Sequence, residues 1–401
     1  ARASAMEQAK AYFDKAMELL GTLPENEKSR ERRTVLLVNQ SVVFELLFQW
    51  TEYYDLLTRY KSHAMRVRDP LLLGAYYDRM AGCEFSFGLF DEAIHTSSKA
   101  IELGETAGKR EHVAYAFMVL VCSYLWKGDL IRAVASKEEV LRRIDPGENI
   151  YLYGRALCMT SLAFTLLGKW DKALEEGRKA MAAAEETSDA SQICSAASTI
   201  SVVHNFKGDV SKAEEYGELA VRKAPTPMDK GWAEACLAWA WSRKGDPARA
   251  VEILAPFVEI AQAAHYVIGV FPGMLWLGEA YWLAGKHEEG RFSLDALKGL
   301  ADRCGARHYY GLAHATLAAI SLETGPAGAA AHFGESIAAF RETKAENDLA
   351  LACAGYGRLH KRQGRAAEAR RYLGEALKIF ERLGTPVEPE KVRRDLAELP
   401  G

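Results

Sequence analysis

The sequence has little that points to covalent or metal chemistry. Its seven cysteines (Cys83, Cys122, Cys158, Cys194, Cys236, Cys304 and Cys353) are odd in number and widely spaced, and none forms a CxxC pair. That argues against a disulfide framework or a zinc site and for a reducing compartment, so a cytoplasmic location is expected. HExxH, EF-hand and GxxxxGK[ST] patterns are absent, which removes the usual metal sites and the phosphate-cradling loop. Gly355-Tyr356-Gly357 comes nearest to a dinucleotide loop, but no strand precedes it, and it is read as packing. No excess of one charge exists either: Lys+Arg number 51 and Asp+Glu 54, a formal net charge of -3. No direct nucleic-acid or membrane partner is therefore expected. The most apolar stretch, Val267–Gly285, is interrupted by Pro272, Glu279 and four glycines, and reads as a buried helix rather than a membrane span. The first residues lack the apolar core of a signal peptide. Neither an acid–base pair nor an activated nucleophile can be assembled from the sequence, so the expectation is a protein that is no enzyme and carries no cofactor and no metal.

What is present is rhythm. A chain of 401 residues exceeds one compact core and must be several domains or one array. Gly88, Gly128, Gly168, Gly208, Gly245, Gly285, Gly325 and Gly364 follow one another at 40, 40, 40, 37, 40, 40 and 39 residues. Five residues after each stands a small one: Ala93, Ala133, Ala173, Ala213, Ala250, Gly290, Ala330 and Ala369. Seven residues before, the residue is small in all but one unit, where it is Val121. A second punctuation falls about twenty residues after each glycine, as at Gly108, Asp145-Pro146-Gly147, Ser188-Asp189 and Cys304-Gly305. Between turns the apolar period is near 3.6, and no run alternates like a strand. Each unit is therefore a hairpin of two antiparallel helices that cross at small residues and bury their apolar faces only by stacking. The fold class expected is all-α: an α-solenoid, a right-handed superhelix with a period of about forty residues. The 37-residue spacing at Pro225-Thr226-Pro227 predicts a local change of rise or a joint.

The expected organisation has three parts. Residues 1–70 hold truncated and degenerate helical repeats, with a helix over 2–21 and a hairpin of Thr34–Gln49 and Tyr53–Arg68. Residues 71–384 hold eight hairpins, and residues 385–401 a capping helix with Val392, Leu396 and Leu399 on its apolar side. The chain begins already in helical pattern, which suggests a cut through a longer protein.

The run Ser161-Leu162-Ala163-Phe164-Thr165-Leu166-Leu167-Gly168-Lys169-Trp170-Asp171-Lys172-Ala173-Leu174 resembles the tetratricopeptide repeat, and the resemblance covers about Leu71 to Gly384. It implies the fold and leaves the function open. The units are longer than the usual 34 residues, and the proline that ends the usual unit is mostly missing. The opening Ala11–Asn26 and the ending Arg362–Arg370 are similar to the C-terminal repeat region of large bacterial signalling ATPases, either linked to nucleotide-cyclase or kinase modules or of the maltose-regulator type. That resemblance implies a sensor or partner-binding arm regulating an attached switch.

First helices line the concave wall of such an array. Counting the glycine as position 15, the inward positions give Tyr115, Arg155, Asn205, Trp232, Trp239, Arg243, Glu279 and Trp282 as candidate groove residues. Trp232 and Trp239 share a helix face, and Arg243 or Arg155 could pair an acidic group of a ligand. The tryptophans admit two readings, an aromatic groove or filler for long helices. The expected partner is a protein or peptide in the concave groove. A small effector enclosed by the Trp-rich segment is the alternative, with oligomeric state open. The histidines and the cysteines of the first helices read as ordinary core. The basic run Arg358–Arg362 reads as the solvated face of a terminal helix.

Overall fold

The structure, a computed structural model, describes residues 2–47, 49–108, 110–144, 149–325 and 327–400. Among them every regular element is an α-helix, twenty-one in all. The first four are α1 (Arg2–Thr22), α2 (Glu27–Asn39), α3 (Ser41–Leu46) and α4 (Trp50–Ala64). Eight hairpins follow. They are α5 (Pro70–Ser86) with α6 (Phe90–Ala107), α7 (Arg110–Lys127) with α8 (Leu130–Leu141), α9 (Ile150–Leu166) with α10 (Trp170–Glu186), and α11 (Ala190–Lys207) with α12 (Val210–Lys223). The second four are α13 (Pro227–Lys244) with α14 (Pro247–Ala263), α15 (Val267–Leu283) with α16 (His287–Arg303), α17 (Arg307–Thr324) with α18 (Ala329–Thr343), and α19 (Glu346–Arg362) with α20 (Ala366–Leu383). A last helix, α21 (Glu388–Ala397), closes the chain.

The hairpins bend where the glycine column predicts. All eight glycines have positive φ, from 70° at Gly168 to 151° at Gly325, a region that a Cβ disfavours. The small-residue columns are the crossing points. The Ser161 hydroxyl donates to the Ala173 carbonyl at 2.7 Å, and Ser201 to Ala213 at 2.6 Å. At Gly278 a Cβ would lie 2.6 Å from Cγ of Leu294, so only glycine lets the two helices of that hairpin approach. The column twelve residues past the glycine (Ala100, Val140, Ala180, Ala220, Leu297, Ile337, Ala376) is buried throughout.

Before the hairpins the columns mislead. The expected helix Thr34–Gln49 begins earlier, at Glu27, because Asn26 and Ser29 form a reciprocal capping box, and it breaks at Gln40 into α2 and α3. The predicted turn Asp145-Pro146-Gly147 lies outside the described residues. The 37-residue spacing is absorbed by α12, which has 14 residues where α10 has 17. Thr226 caps α13 and Pro227 occupies its first turn, and the main core holds buried residues on both sides of the junction, Val203 of α11 and Ala235 of α13. The last helix starts at Glu388 rather than Thr385, with Val392 and Leu399 buried.

The superhelix closes on itself. A Cβ on Gly88 would meet Sγ of Cys304 at 2.8 Å; on Gly128, Cγ2 of Thr343 at 2.6 Å; on Gly168, Cδ1 of Leu383 at 2.7 Å. Each of these first-turn tips therefore abuts the end of the second helix five hairpins further on. Phe90 packs near Phe271 across the same seam, with ring centroids 6.4 Å apart. Successive turns of the solenoid thus touch, and the concave wall faces inward on itself.

Candidate functional site

Six first helices, α7 to α17 in alternation, converge on one apolar chamber. Trp126, Leu166, Phe206, Trp232, Trp276 and Tyr309 are among its walls, and its volume is about 50 Å³. That is room for a few waters, against about 300 Å³ for a small ligand pocket. The chamber is small because tryptophan fills it. Trp239 is 1% exposed and stacks on Trp276 at 5.0 Å with planes 13° apart, Trp232 lies 5.6 Å from Trp276, and Phe206 meets Trp239 edge-on at 5.1 Å. Trp239 and Trp276 are core, whereas Trp232 and Trp282 are half-buried. At the chamber's edge the His308 Nε2–Asp348 contact is 2.7 Å long and buried, and the Trp126 indole N–H and His308 Nδ1 have no hydrogen-bond partner among the described residues.

Four of the predicted residues meet in one network. The Trp239 indole donates to one oxygen of Glu279 at 2.8 Å, and Arg243 Nε donates to the other at 2.8 Å. Arg243 also donates to the Asn205 carbonyl at 2.7 Å, and its guanidinium lies 4.7 Å from the Trp239 ring. The acidic partner expected for Arg243 from a ligand is therefore supplied by the chain itself, at Glu279. One hairpin on, Trp282 donates to Glu323 at 2.9 Å. The network leaves one residue incomplete. Asn205 is fully buried, yet neither atom of its side-chain amide is hydrogen-bonded among the described residues. A buried amide without partners costs about 1–3 kcal/mol, which a ligand could recover.

Tyr115 and Arg155 lie apart from this network. Arg155 is half-buried and donates to the Tyr151 hydroxyl at 3.0 Å; Cys122, Tyr115 and Tyr266 also surround it. The Tyr151 hydroxyl holds the guanidinium above its ordinary value against the opposing cost of burial. Tyr266 is the N-cap of α15, so hairpin 6 reaches across the channel to hairpin 3. No carboxylate among the described residues pairs with Arg155. Tyr151 and Tyr266 escape the inward-position count because they sit at helix starts, before the repeat's interior register begins.

The remaining reactive groups are sequestered. Burial pushes the thiols of Cys122, Cys158 and Cys236 up, and those of Cys194 and Cys353 to about 12. No cluster of three or more His, Cys, Asp or Glu suited to a metal occurs among the described residues, and no helix among them is long and apolar enough to cross a membrane. The basic run Arg358–Arg362 is not simply solvated: Arg358 and Lys361 both bond Asp395, and Lys361 bonds Glu398, so α21 and the residue after it pair with the first helix of hairpin 8.

Residues 349–383 match the family model of the tetratricopeptide repeat. No curated protein matches the sequence. Among solved structures, a Rap protein complexed with competence and sporulation factor superposes with a TM-score of 0.60 at 17% identity, over 92% of this chain and 96% of that one. The Rap conjugation gene regulator of plasmid pLS20, in complex with the Phr* peptide, gives 0.55 at 11% identity, over 90% and 98%. A monomeric mutant of IFIT1 with m7Gppp-AAAA gives 0.52 at 16%, over 91% and 81%. At these identities the likeness establishes the helical-repeat fold.

Proposed function

We propose that this array of the tetratricopeptide-repeat type is a non-catalytic cytoplasmic module that takes a protein or peptide segment against its inner wall and regulates an attached signalling protein. In this reading residues 1–70 form the junction, residues 71–384 the binding array and residues 385–401 its cap. The observation that carries the reading is the pair of incomplete polar residues on the inner wall. Asn205 offers a buried donor and acceptor, the complement of a backbone amide. Arg155 offers a guanidinium that pairs with no carboxylate among the described residues, the complement of an acidic side chain or a chain terminus. The Rap structures of the same fold hold competence and sporulation factor and the Phr* peptide, which supports the same use here. The sequence similarity to signalling-ATPase repeat regions supports the attached switch. Because the chamber is far smaller than a peptide, binding must widen the channel and so strain the seam between turns.

A small effector in the chamber is the second reading, favoured by its enclosed apolar walls and by the unpartnered Trp126 and His308 atoms. The two separate on Arg155→Gln and Asn205→Ala, tested by fluorescence polarisation against a labelled peptide library with acidic members. Peptide binding predicts that Arg155→Gln weakens acidic peptides by about tenfold or more, the worth of one charged hydrogen bond. Asn205→Ala should weaken all peptides without lowering the melting temperature. Unchanged affinities in both variants, or no binder at all, would overturn the peptide reading. Tryptophan quenching by a metabolite pool, insensitive to Arg155→Gln, would establish the effector instead.

A further inference from the structure

A second hollow lies on the outside of the molecule, in the seam. Its volume is about 350 Å³, within the range of small-molecule sites. Ile131, Leu167 and Lys169 line it from hairpins 2 and 3; Phe340, Lys344 and Leu349 face them from hairpins 7 and 8. It sits between two close contacts of the seam, Gly128 on Thr343 and Gly168 on Leu383, so the turns press together on both sides and leave this gap between.

We propose that the gap binds a small amphiphilic anion, a carboxylate or phosphate group on a short apolar body, which bridges the two superhelical turns. Leu167 and Phe340 are buried and supply an apolar floor, while Ile131 is 47% exposed beside it. The charge above that floor is unbalanced. Lys169 and Lys344 pair with no carboxylate among the described residues, whereas Glu346, the acid in the lining, is held by two bonds from Arg382 at 2.8 Å each. Lys344 also occupies the left-handed region, with φ of 59°. The equivalent turn has positive φ in five other hairpins, at glycine in three (Gly108, Gly305, Gly384) and at Ser188 and His265 in two. The helices beginning beside the hollow, α10 and α19, have Lys169 and Ala345 as N-caps with no side-chain cap, so their positive ends add to the field. This site is independent of the inner wall, and a ligand here would favour the closed array by mass action.

The probe is 8-anilinonaphthalene-1-sulfonate, titrated into the full chain and displaced by octyl phosphate, octanoate, octyl glucoside or inorganic phosphate. Octyl phosphate or octanoate should displace it, while the uncharged octyl glucoside and the tail-less inorganic phosphate should not. Lys344→Gly with Lys169→Gln should weaken probe and octyl phosphate by about tenfold or more, while Lys344→Gly alone keeps or raises the melting temperature. Lys344→Gln with Lys169→Gln, which retains the side-chain bulk, should lose binding equally. Absence of probe binding, equal competition by octyl glucoside, or unchanged affinity in the lysine variants would overturn the site.

Discussion

His314 and His332 meet with their Nδ1 atoms 2.9 Å apart, so one ring donates and the other accepts, and the accepting ring cannot be protonated at Nδ1 without breaking the pair. Burial, with His332 and Lys298 nearby, lowers His314 from 6.5 to about 4, although Glu335 and Asp295 pull the other way. Burial lowers His332, His204 and His360 as well. The unfolded chain therefore binds these protons first as pH falls. The contribution of these histidines should be full above about pH 7 and be lost as pH falls from 6.5 toward 4, against an opposite contribution from the buried carboxyls of Asp78 and Glu84, which burial raises; His314→Gln should flatten part of the acid-side decline. Melting temperatures followed by circular dichroism across this range check it; a parallel decline in the variant would remove the pair as its origin. Single residues were legible where burial alone decides their state. The first-helix cysteines are buried, and His204 and His360 stack on Tyr216 and Tyr372 as ordinary packing. The tryptophans were not legible, because position 9 of a first helix faces a groove in an open array and a core in a closed one.

At the scale of the element, the glycine tips carry two constraints that can be separated. Gly168 and Gly364 have nearly the same φ, 70° and 72°, but only Gly168 has a neighbour, Leu383, where a Cβ would sit. Gly364→Ala should cost about 1 kcal/mol for the left-handed backbone. Gly168→Ala should cost roughly 1–3 kcal/mol more, for overpacking against Leu383. Urea unfolding of both variants measures the difference, and equal losses would mean that the seam contact is not made in solution. The turns of the eight hairpins were legible because glycine at positive φ is a local requirement written in one residue. The α2–α3 break and the start at Asn26 were missed because the glycine column has no member there, and the register was carried upstream past its last anchor.

At the scale of the whole molecule, closure was the feature that the sequence concealed. Superhelical pitch is the sum of many small angles between neighbours, and Gly168 and Leu383 are too far apart in sequence for any local pattern to join them. Thr343→Lys with Leu383→Lys places charge in two seam contacts without touching the inner wall. Small-angle scattering should then show the radius of gyration rising by several ångströms from near the roughly 22 Å of a compact chain of this length, with helical circular dichroism unchanged. An unaltered radius would show that the turns are held by something else.

The pairing of each early tip with the hairpin five places later makes this chain count its own units. An open solenoid can gain or lose a repeat through a copying error and merely grow or shrink. Here one unit added or dropped in the middle would slide three tips off their seats together, like a vernier moved by one mark, so the tally of hairpins is itself under structural control.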